Sequence, residues 1–424
     1  MKILMLGWEL PPHISGGLGV ASEGIANGLS EKGHKVDFLI PKKKKGHSSS
    51  VFNIVSASDI KPDFALWKKT IRYTETLRDT EMGARLIPYL PAEVFIKAKE
   101  RQVVVEKIEE TEESELLKKI DLTGDYLESL NHEISKYALL AAQFSNESPY
   151  DAIHAHDWVT FKAGRMAAKK SGTPLFVHCH STEYDRNGFH AQPFIINEEK
   201  LGFKEAKTIF CVSERLKKVI VGKYKIKAKK IVVVPNAVST IPSIKQKKSS
   251  PKKEVVFVGR FTHQKSPMAF IDIARALVSK GIDCHFTMIG DGYLRGDLED
   301  RVSQKNLDGR FDFTGFIPQG KALEKLSKAD LLIVPSSAEP FGLVILEAIS
   351  MKIPVAAATG TGVAEFIPSL PQAELWDHYN YEKLAERLLT DDALIEACTE
   401  ACFKEASQLT WENSALKMEA AYHS

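Results

Sequence analysis

The sequence predicts an α/β protein with two doubly wound parallel-sheet domains facing a central cleft. Short apolar runs alternate with helical stretches along most of the chain, the pattern of βα units. A length of 424 residues exceeds what one hydrophobic core usually serves. A Ser-, Pro- and Lys-rich tract without hydrophobic periodicity, 239–253, divides the chain near its middle. Ligands of such sheets bind beyond the carboxyl ends of the strands.

In the first half the expected strands are Lys2 to Gly7, Lys35 to Ile40, Arg85 to Tyr89, Ala152 to Ala155, Leu175 to His178, Thr208 to Val212 and Ile231 to Pro235. In the second half they are Val255 to Gly259, His285 to Gly290, Phe311 to Gly315, Leu331 to Pro335 and Pro354 to Ala357. The domains are therefore set at 1–240 and 254–407. The segment Lys97 to Glu115, with its acidic stretch 106–115, reads as a solvated helix or insertion, and Lys42 to Lys45 as a solvated loop after a strand.

A net charge of +2 argues against a dedicated nucleic-acid binder. No run of apolar residues reaches the length of a membrane span, and the N-terminus does not read as a signal peptide, so a cytoplasmic protein is expected. Contact of Lys42 to Lys45 with anionic lipid is the less favoured reading of that run. Five scattered cysteines fit reduced thiols, with no metal site expected at Cys398 and Cys402. Oligomeric state is left open.

Four groups of residues carry chemistry. After the first strand, Gly16, Gly17 and Gly19 precede a helix from about Val20, where backbone N–H groups can approach a phosphate; a tight turn explains these glycines equally well. Beyond the strand ending at Gly259, Arg260 and Lys265 project toward the cleft, where fixed cations can stabilise a diphosphate leaving group or simply be solvated. Glu339 and Glu347 stand eight residues apart around a predicted helix start and can span up to roughly 12 Å, the reach of a sugar nucleotide. The pairs His154, His156 and His178, His180 each occupy alternate positions at a strand end. Together they could in principle hold zinc, but satisfied polar groups lining a cleft are the preferred reading. With no Asp-x-Asp motif at a strand end, no bound metal is expected in catalysis.

Taken in order, Gly16 to Gly19, His154 to Trp158, Val212 to Glu214, Val258 to Arg260, Ile289 to Gly292 and Glu339 to Glu347 resemble the retaining glycosyltransferases of the GT-B fold, family four (group 1), close to the glycogen and starch synthase type. The resemblance implies two Rossmann-like domains, and a last helix, about 408–424, crossing back onto the first. It implies that Gly16 and Gly17 face the donor phosphates and acceptor, and that His180 hydrogen-bonds the transferring sugar. Arg260 and Lys265, following Gly259, would neutralise the diphosphate. Glu339 would contact the sugar, the backbone of Phe341, Gly342 and Leu343 would lie near sugar and phosphate, and Glu347 would hold the ribose. Asp157 would stand on the acceptor side. Thr361 departs from the family, which usually has a glycine there.

The resemblance implies transfer of a hexose, glucose by preference, from a UDP- or ADP-sugar to a hydroxyl of a glucan or other carbohydrate, with no further cofactor. A lipid acceptor at a membrane surface, and a sugar-nucleotide epimerase, are the alternatives.

Overall fold

The computed structural model describes residues 1–12, 16–62, 122–126, 130–238 and 252–424. The first sheet has seven strands: β1 Lys2–Leu6, β2 Lys35–Ile40, β3 Asn53–Ser56, β4 Ala152–His156, β5 Leu175–Cys179, β6 Thr208–Cys211 and β7 Ile231–Val233. Their order is β3-β2-β1-β4-β5-β6-β7, and every pairing is parallel. The second sheet has six: β8 Lys253–Val258, β9 Cys284–Ile289, β10 Phe311–Phe313, β11 Leu331–Val334, β12 Val355–Ala358 and β13 Gln372–Ala373. Its order is β10-β9-β8-β11-β12-β13, again all parallel. The strand order reverses beside β1 and beside β8, so each sheet opens a crevice at the carboxyl end of its first strand.

The helices of the first half are α1 Gly17–Glu31, α2 Leu130–Phe144, α3 Trp158–Ser171, α4 Glu183–Asn187, α5 Pro193–Glu205 and α6 Glu214–Tyr224. Those of the second are α7 Pro267–Ser279, α8 Arg295–Gln304, α9 Gln319–Leu326, α10 Leu343–Ser350, α11 His378–Thr390, α12 Asp392–Ala406 and α13 Trp411–His423. None of the described helices is long and apolar enough to cross a membrane.

Buried parallel strands send alternate side chains to two covered faces. In β1, Leu4 and Leu6 join the core with Ile153, Ala155 and Trp158, whereas Ile3 and Met5 join Ile25, Phe176, Phe210 and Met418. The second face is closed by α1 and by α13, the last helix of the chain. Trp411 lies in a groove that Gly24 and Gly28 open on α1. A Cβ at Gly24 would come within 2.1 Å of the indole, and one at Gly28 within 2.6 Å of the Trp411 carbonyl. Ser414 fastens α13 further by donating to the Pro235 carbonyl at 2.6 Å.

Several expectations need adjustment. The strand placed at Arg85 to Tyr89, the charged segment 97–115 and residues 239–251 of the linker lie outside the described residues. Lys253, read as linker, opens β8. The strands Asn53–Ser56 and Gln372–Ala373 were not expected; both are short sheet edges that present no long apolar run. The first helix starts at Gly17 instead of Val20, because poor helix formers at 17 and 19 hide its first turn. Lys44 of the basic loop pairs with Asp125 at 3.0 Å. All five cysteines are free thiols.

Gly24→Ala would press a methyl against Trp411 and should lower unfolding free energy by about 1–3 kcal/mol in urea titrations. Gly222→Ala, on α6 where an added Cβ meets nothing within 4 Å, should be neutral or stabilising by up to about 1 kcal/mol. Equal midpoints for the two variants would rule out the tight α1–α13 seat.

Candidate active site

The two sheets meet through a short set of polar contacts. Ser213, the N-cap of α6, donates its hydroxyl to the Pro340 carbonyl at 2.8 Å while accepting from Leu216 N. The Glu365 carboxylate accepts from the N–H groups of Glu214 and Arg215 at 2.6 and 2.7 Å, at the positive end of the same helix. Gly362 permits this closeness, since a Cβ there would lie 1.9 Å from the Pro340 carbonyl oxygen and 3.0 Å from Ser213 Cβ.

On the first-sheet side, Gly16 is the N-cap of α1, in extended conformation. A Cβ on Gly16 would stand 3.0 Å from Glu9 Oε2, and one on Gly17 would stand 3.6 Å from Leu343 Cδ1 of the opposite half. Glu9 is buried and accepts from the Tyr126 hydroxyl at 2.6 Å. Burial raises its pKa, while the Tyr126 hydroxyl, the Arg260 guanidinium and backbone groups of Gly16 and Gly19 pull it back down. Arg260 therefore acts electrostatically across the crevice on the floor of the glycine turn.

Arg260 follows Gly259, whose loop lies against the β9 end. A Cβ at Gly290 would meet the Gly259 carbonyl at 2.0 Å, and one at Gly292 the Phe261 carbonyl at 2.6 Å, so these glycines let the two loops stack. Downstream, Ser337 N donates to the Gln264 carbonyl at 2.9 Å, and Gln264 Nε2 donates to the Ala338 carbonyl at 3.1 Å. This lacing brings Lys265 Nζ to Glu339 Oε2 at 2.6 Å, where Ser336 also donates at 3.1 Å.

Gly342 caps α10 with φ 106°, a conformation that favours glycine, and a Cβ would also crowd Ile345 at 3.0 Å and Glu339 at 3.3 Å. The first N–H groups of α10 have no partner within the helix. Half-buried Glu347, on its second turn, accepts from Gln319 at 3.1 Å. Burial lifts its pKa to about 7, with the Gln319 bond opposing. Thr361, where the resemblance leads one to expect a glycine, has extended backbone (φ −66°) and needs none. Its hydroxyl donates to the Ala358 carbonyl at 2.7 Å. The residue whose lack of a Cβ matters is Gly362.

His180 follows β5, and α4 beyond it packs on the 263–265 turn of the other half. Burial lowers the pKa of His180 to about 3, so its ring is neutral at pH 7. Asp157 is tied to the β5 end by two bonds: Asp157 N donates to the His178 carbonyl at 2.9 Å, and Asp157 Oδ1 accepts from His180 N at 2.7 Å. These bonds hold Asp157 at φ 57° and ψ 170°, a costly conformation for a residue with a side chain. Burial raises its pKa to about 6 against the pull of Arg186.

Thus Gly16 faces Glu9 and Gly17 faces Leu343, and Lys265 joins Glu339. Arg260 reaches toward Glu9, and Asp157 braces His180. Glu339 and Glu347, by contrast, do not share a partner: one is tied to Lys265 and Ser336, the other to Gln319. Sequence reasoning missed Glu9, Tyr126 and the Ser213–Glu365 contacts. Glu9 stands just past the β1 end and could have been suspected; the others depend on residues that are distant in sequence.

Two parallel sheets meeting at the carboxyl ends of their strands, with a last helix returned to the first sheet, define a GT-B glycosyltransferase. Residues 109–241 match the family model Glycosyltransferase Family 4, and residues 240–401 match Glycosyl transferases group 1. The chain belongs to this family, the group 1 glycosyltransferases of family 4, and is glycogen synthase-like. An uncharacterized glycosyltransferase of Methanocaldococcus jannaschii is 25% identical over 454 residues, spanning 98% of this chain and 96% of that one. Glycogen synthase of Mycobacterium tuberculosis is 21% identical over 375 residues, 87% of this chain and 80% of that protein. Among solved structures, sucrose-phosphate synthase from Thermosynechococcus elongatus superposes with a TM-score of 0.71 at 17% identity, covering 100% of this chain and 98% of that one.

Removing the Glu365 carboxylate by Glu365→Ala should leave the Glu214 and Arg215 N–H groups without their partner while Ser213 still caps α6, at a cost of about 1–2 kcal/mol, and loosen the two halves. Small-angle scattering should then show a larger radius of gyration than wild type; an unchanged radius and unchanged stability would dismiss the latch.

Proposed function

We propose that the protein is a retaining hexosyltransferase. In this reading it moves a hexose, glucose by preference, from a UDP- or ADP-sugar to a hydroxyl of a glucan or other carbohydrate. The observation that carries it is the pairing of Lys265 with Glu339 at the second-sheet strand ends, beside Arg260 and opposite Gly16, Gly17 and His180. The first-sheet unit, 1–240 with the terminal helix 408–424, takes the acceptor. The second, 254–407, takes the nucleotide sugar.

In this reading the backbone N–H groups from Phe341 to Leu343, leading into α10, and the glycine turn at Gly16 and Gly17 receive the phosphates and sugar. Glu347 accepts from the ribose hydroxyls. Lys265 and Arg260 balance the charge that develops on the diphosphate as the glycosidic bond breaks. Lys265 thereby exchanges its ion pair with Glu339 for a phosphate, which frees Glu339 for the sugar hydroxyls. His180, neutral and braced by Asp157, hydrogen-bonds the transferring sugar from the acceptor side.

Double displacement needs two carboxyl groups about 5 Å apart on opposite faces of the anomeric carbon. Glu339 and Glu347 are held by separate partners on either side of the α10 N-terminus and do not suit that role. A front-face substitution fits better. The bond from the anomeric carbon to phosphate oxygen breaks, the acceptor oxygen bonds on the same face, and the acceptor proton passes to the leaving diphosphate. Closure of the two halves would exclude water from the donor.

The test is nucleoside diphosphate release from a panel of UDP-, ADP- and GDP-sugars, with and without maltooligosaccharide, comparing wild type with Glu339→Gln. Acceptor-stimulated release with one donor, lost in the variant, is expected; no release from any donor with any acceptor would overturn the reading. Arg260→Ala and Lys265→Ala should each cut turnover by about 10² or more. Because Glu347 takes up a proton near pH 7, the donor KM should rise as pH falls through about 7. Glu347→Gln should raise KM and flatten that dependence, whereas an unchanged pH profile in the variant would remove Glu347 from donor binding.

A further inference from the structure

Beneath α13, on the face of the first sheet that also carries Phe176 and Phe210, four imidazoles stack. In register, His156 pairs with His178 across β4 and β5. Alternation along the strands adds His154 below and His180 above on the same face. Ring centroids lie 4.5 Å apart for His154 and His156, 4.4 Å for His178 and His180, and 5.5 Å for both His154–His178 and His156–His178. His154, His156 and His178 are all 0% exposed.

The stack is poorly satisfied. His154 Nε2, His156 Nε2 and both nitrogens of His178 are buried without a hydrogen-bond partner. A neutral imidazole has one donor and one acceptor to place, and each group left unpaired in a dry interior costs on the order of 1–3 kcal/mol. Such a group calls for an explanation, such as an ion or water in the gap. One ligand atom from each of His154, His156 and His178 lies within 4.8 Å of the others.

We propose that His154, His156 and His178 form a three-imidazole site for a divalent transition-metal ion of the zinc class, held between the first sheet and α13. Zinc–nitrogen bonds of about 2.0–2.1 Å require nitrogens about 3.4 Å apart in a tetrahedron. The near-parallel rings, 7–18° between planes, must therefore turn inward about their Cβ–Cγ bonds. Only neutral imidazole ligates, so binding is expected to weaken as pH falls. His154 Nδ1 lies 2.6 Å from the Tyr422 hydroxyl of α13. With Nδ1–H donating to that oxygen, Nε2 points its lone pair at the ion, the kind of outer support that metal-binding histidines use. A water completes the four positions. Its ionisation toward hydroxide would offset part of the charge that three neutral ligands leave on the ion. The site would join sheet to last helix, and His156 Nδ1, 3.1 Å from His180 Nε2, would link it to the ring assigned to the sugar.

Tag-free full-length protein, dialysed against chelator, is titrated with Zn²⁺ in competition with a chromophoric chelator and separately with Co²⁺. One equivalent per chain is expected, with the intense visible bands of four-coordinate cobalt and a raised melting temperature. Tyr422→Phe should weaken binding about 10–100-fold, and His178→Gln should weaken it further and abolish the cobalt bands. If His178→Gln does not fold, Tyr422→Phe and His156→Gln decide. No bound zinc, or zinc binding unchanged in the variants, would overturn the proposal; the latter would place the ion on surface groups and leave only buried water to satisfy the stack.

Discussion

The contact of Ser213 with the Pro340 carbonyl, made at the first turn of α6, is the constraint on which the site depends. Each sheet by itself offers only an open crevice at its strand ends. Pressed together there, with Glu365 closing on the α6 N–H groups, the two crevices become one enclosure whose walls carry opposite tasks. The glycine turn and the braced histidine come from one wall, the cations and carboxylates from the other. Gly362 is the permissive residue: any side chain would drive its own loop off Pro340 and open the enclosure at its seam.

The electrostatics within this enclosure run against ordinary solution behaviour. His180 is held neutral by burial, whereas Asp157 and Glu347 are pushed toward neutrality from the other direction. Arg260 and Lys265, each facing a carboxylate, stand in arrangements that an anion can rearrange. In the proposed reading a phosphate group would compete with Glu339 for Lys265 and with Glu9 for the field of Arg260. The resting site thus holds one ion pair, Lys265–Glu339, and one longer-range attraction, Arg260 to Glu9, that a dianionic ligand would reorganise in the proposed reading.

Much of the fold was legible because buried parallel strands read as continuous apolar runs. The stretches of β1, β5 and β11 announce themselves, whereas the edges Asn53–Ser56 and Gln372–Ala373 are too short and polar to do so. The site was legible where glycines and charges cluster near strand ends, as at Gly16, Arg260 and Glu339. It was not legible where a role depends on pairing over distance. Glu365 caps a helix about 150 residues away, and Gly24 and Gly28 look like faults in α1 until Trp411 fills them. The histidine pairs fell between these cases: their alternation was visible, but the stacking of both pairs on one buried face needed the β4–β5 register.

Trp411 in its glycine groove also bears on how the chain is made. The face of the first sheet that bears Ile3, Met5, Phe176 and Phe210 is completed by the last helix. During synthesis that face must wait while the whole second sheet emerges, on the order of ten seconds or more at usual elongation rates. A nascent chain of this protein therefore carries a large uncovered apolar surface through much of the second half of its translation. Its dependence on chaperones should fall on the newly made amino-terminal half.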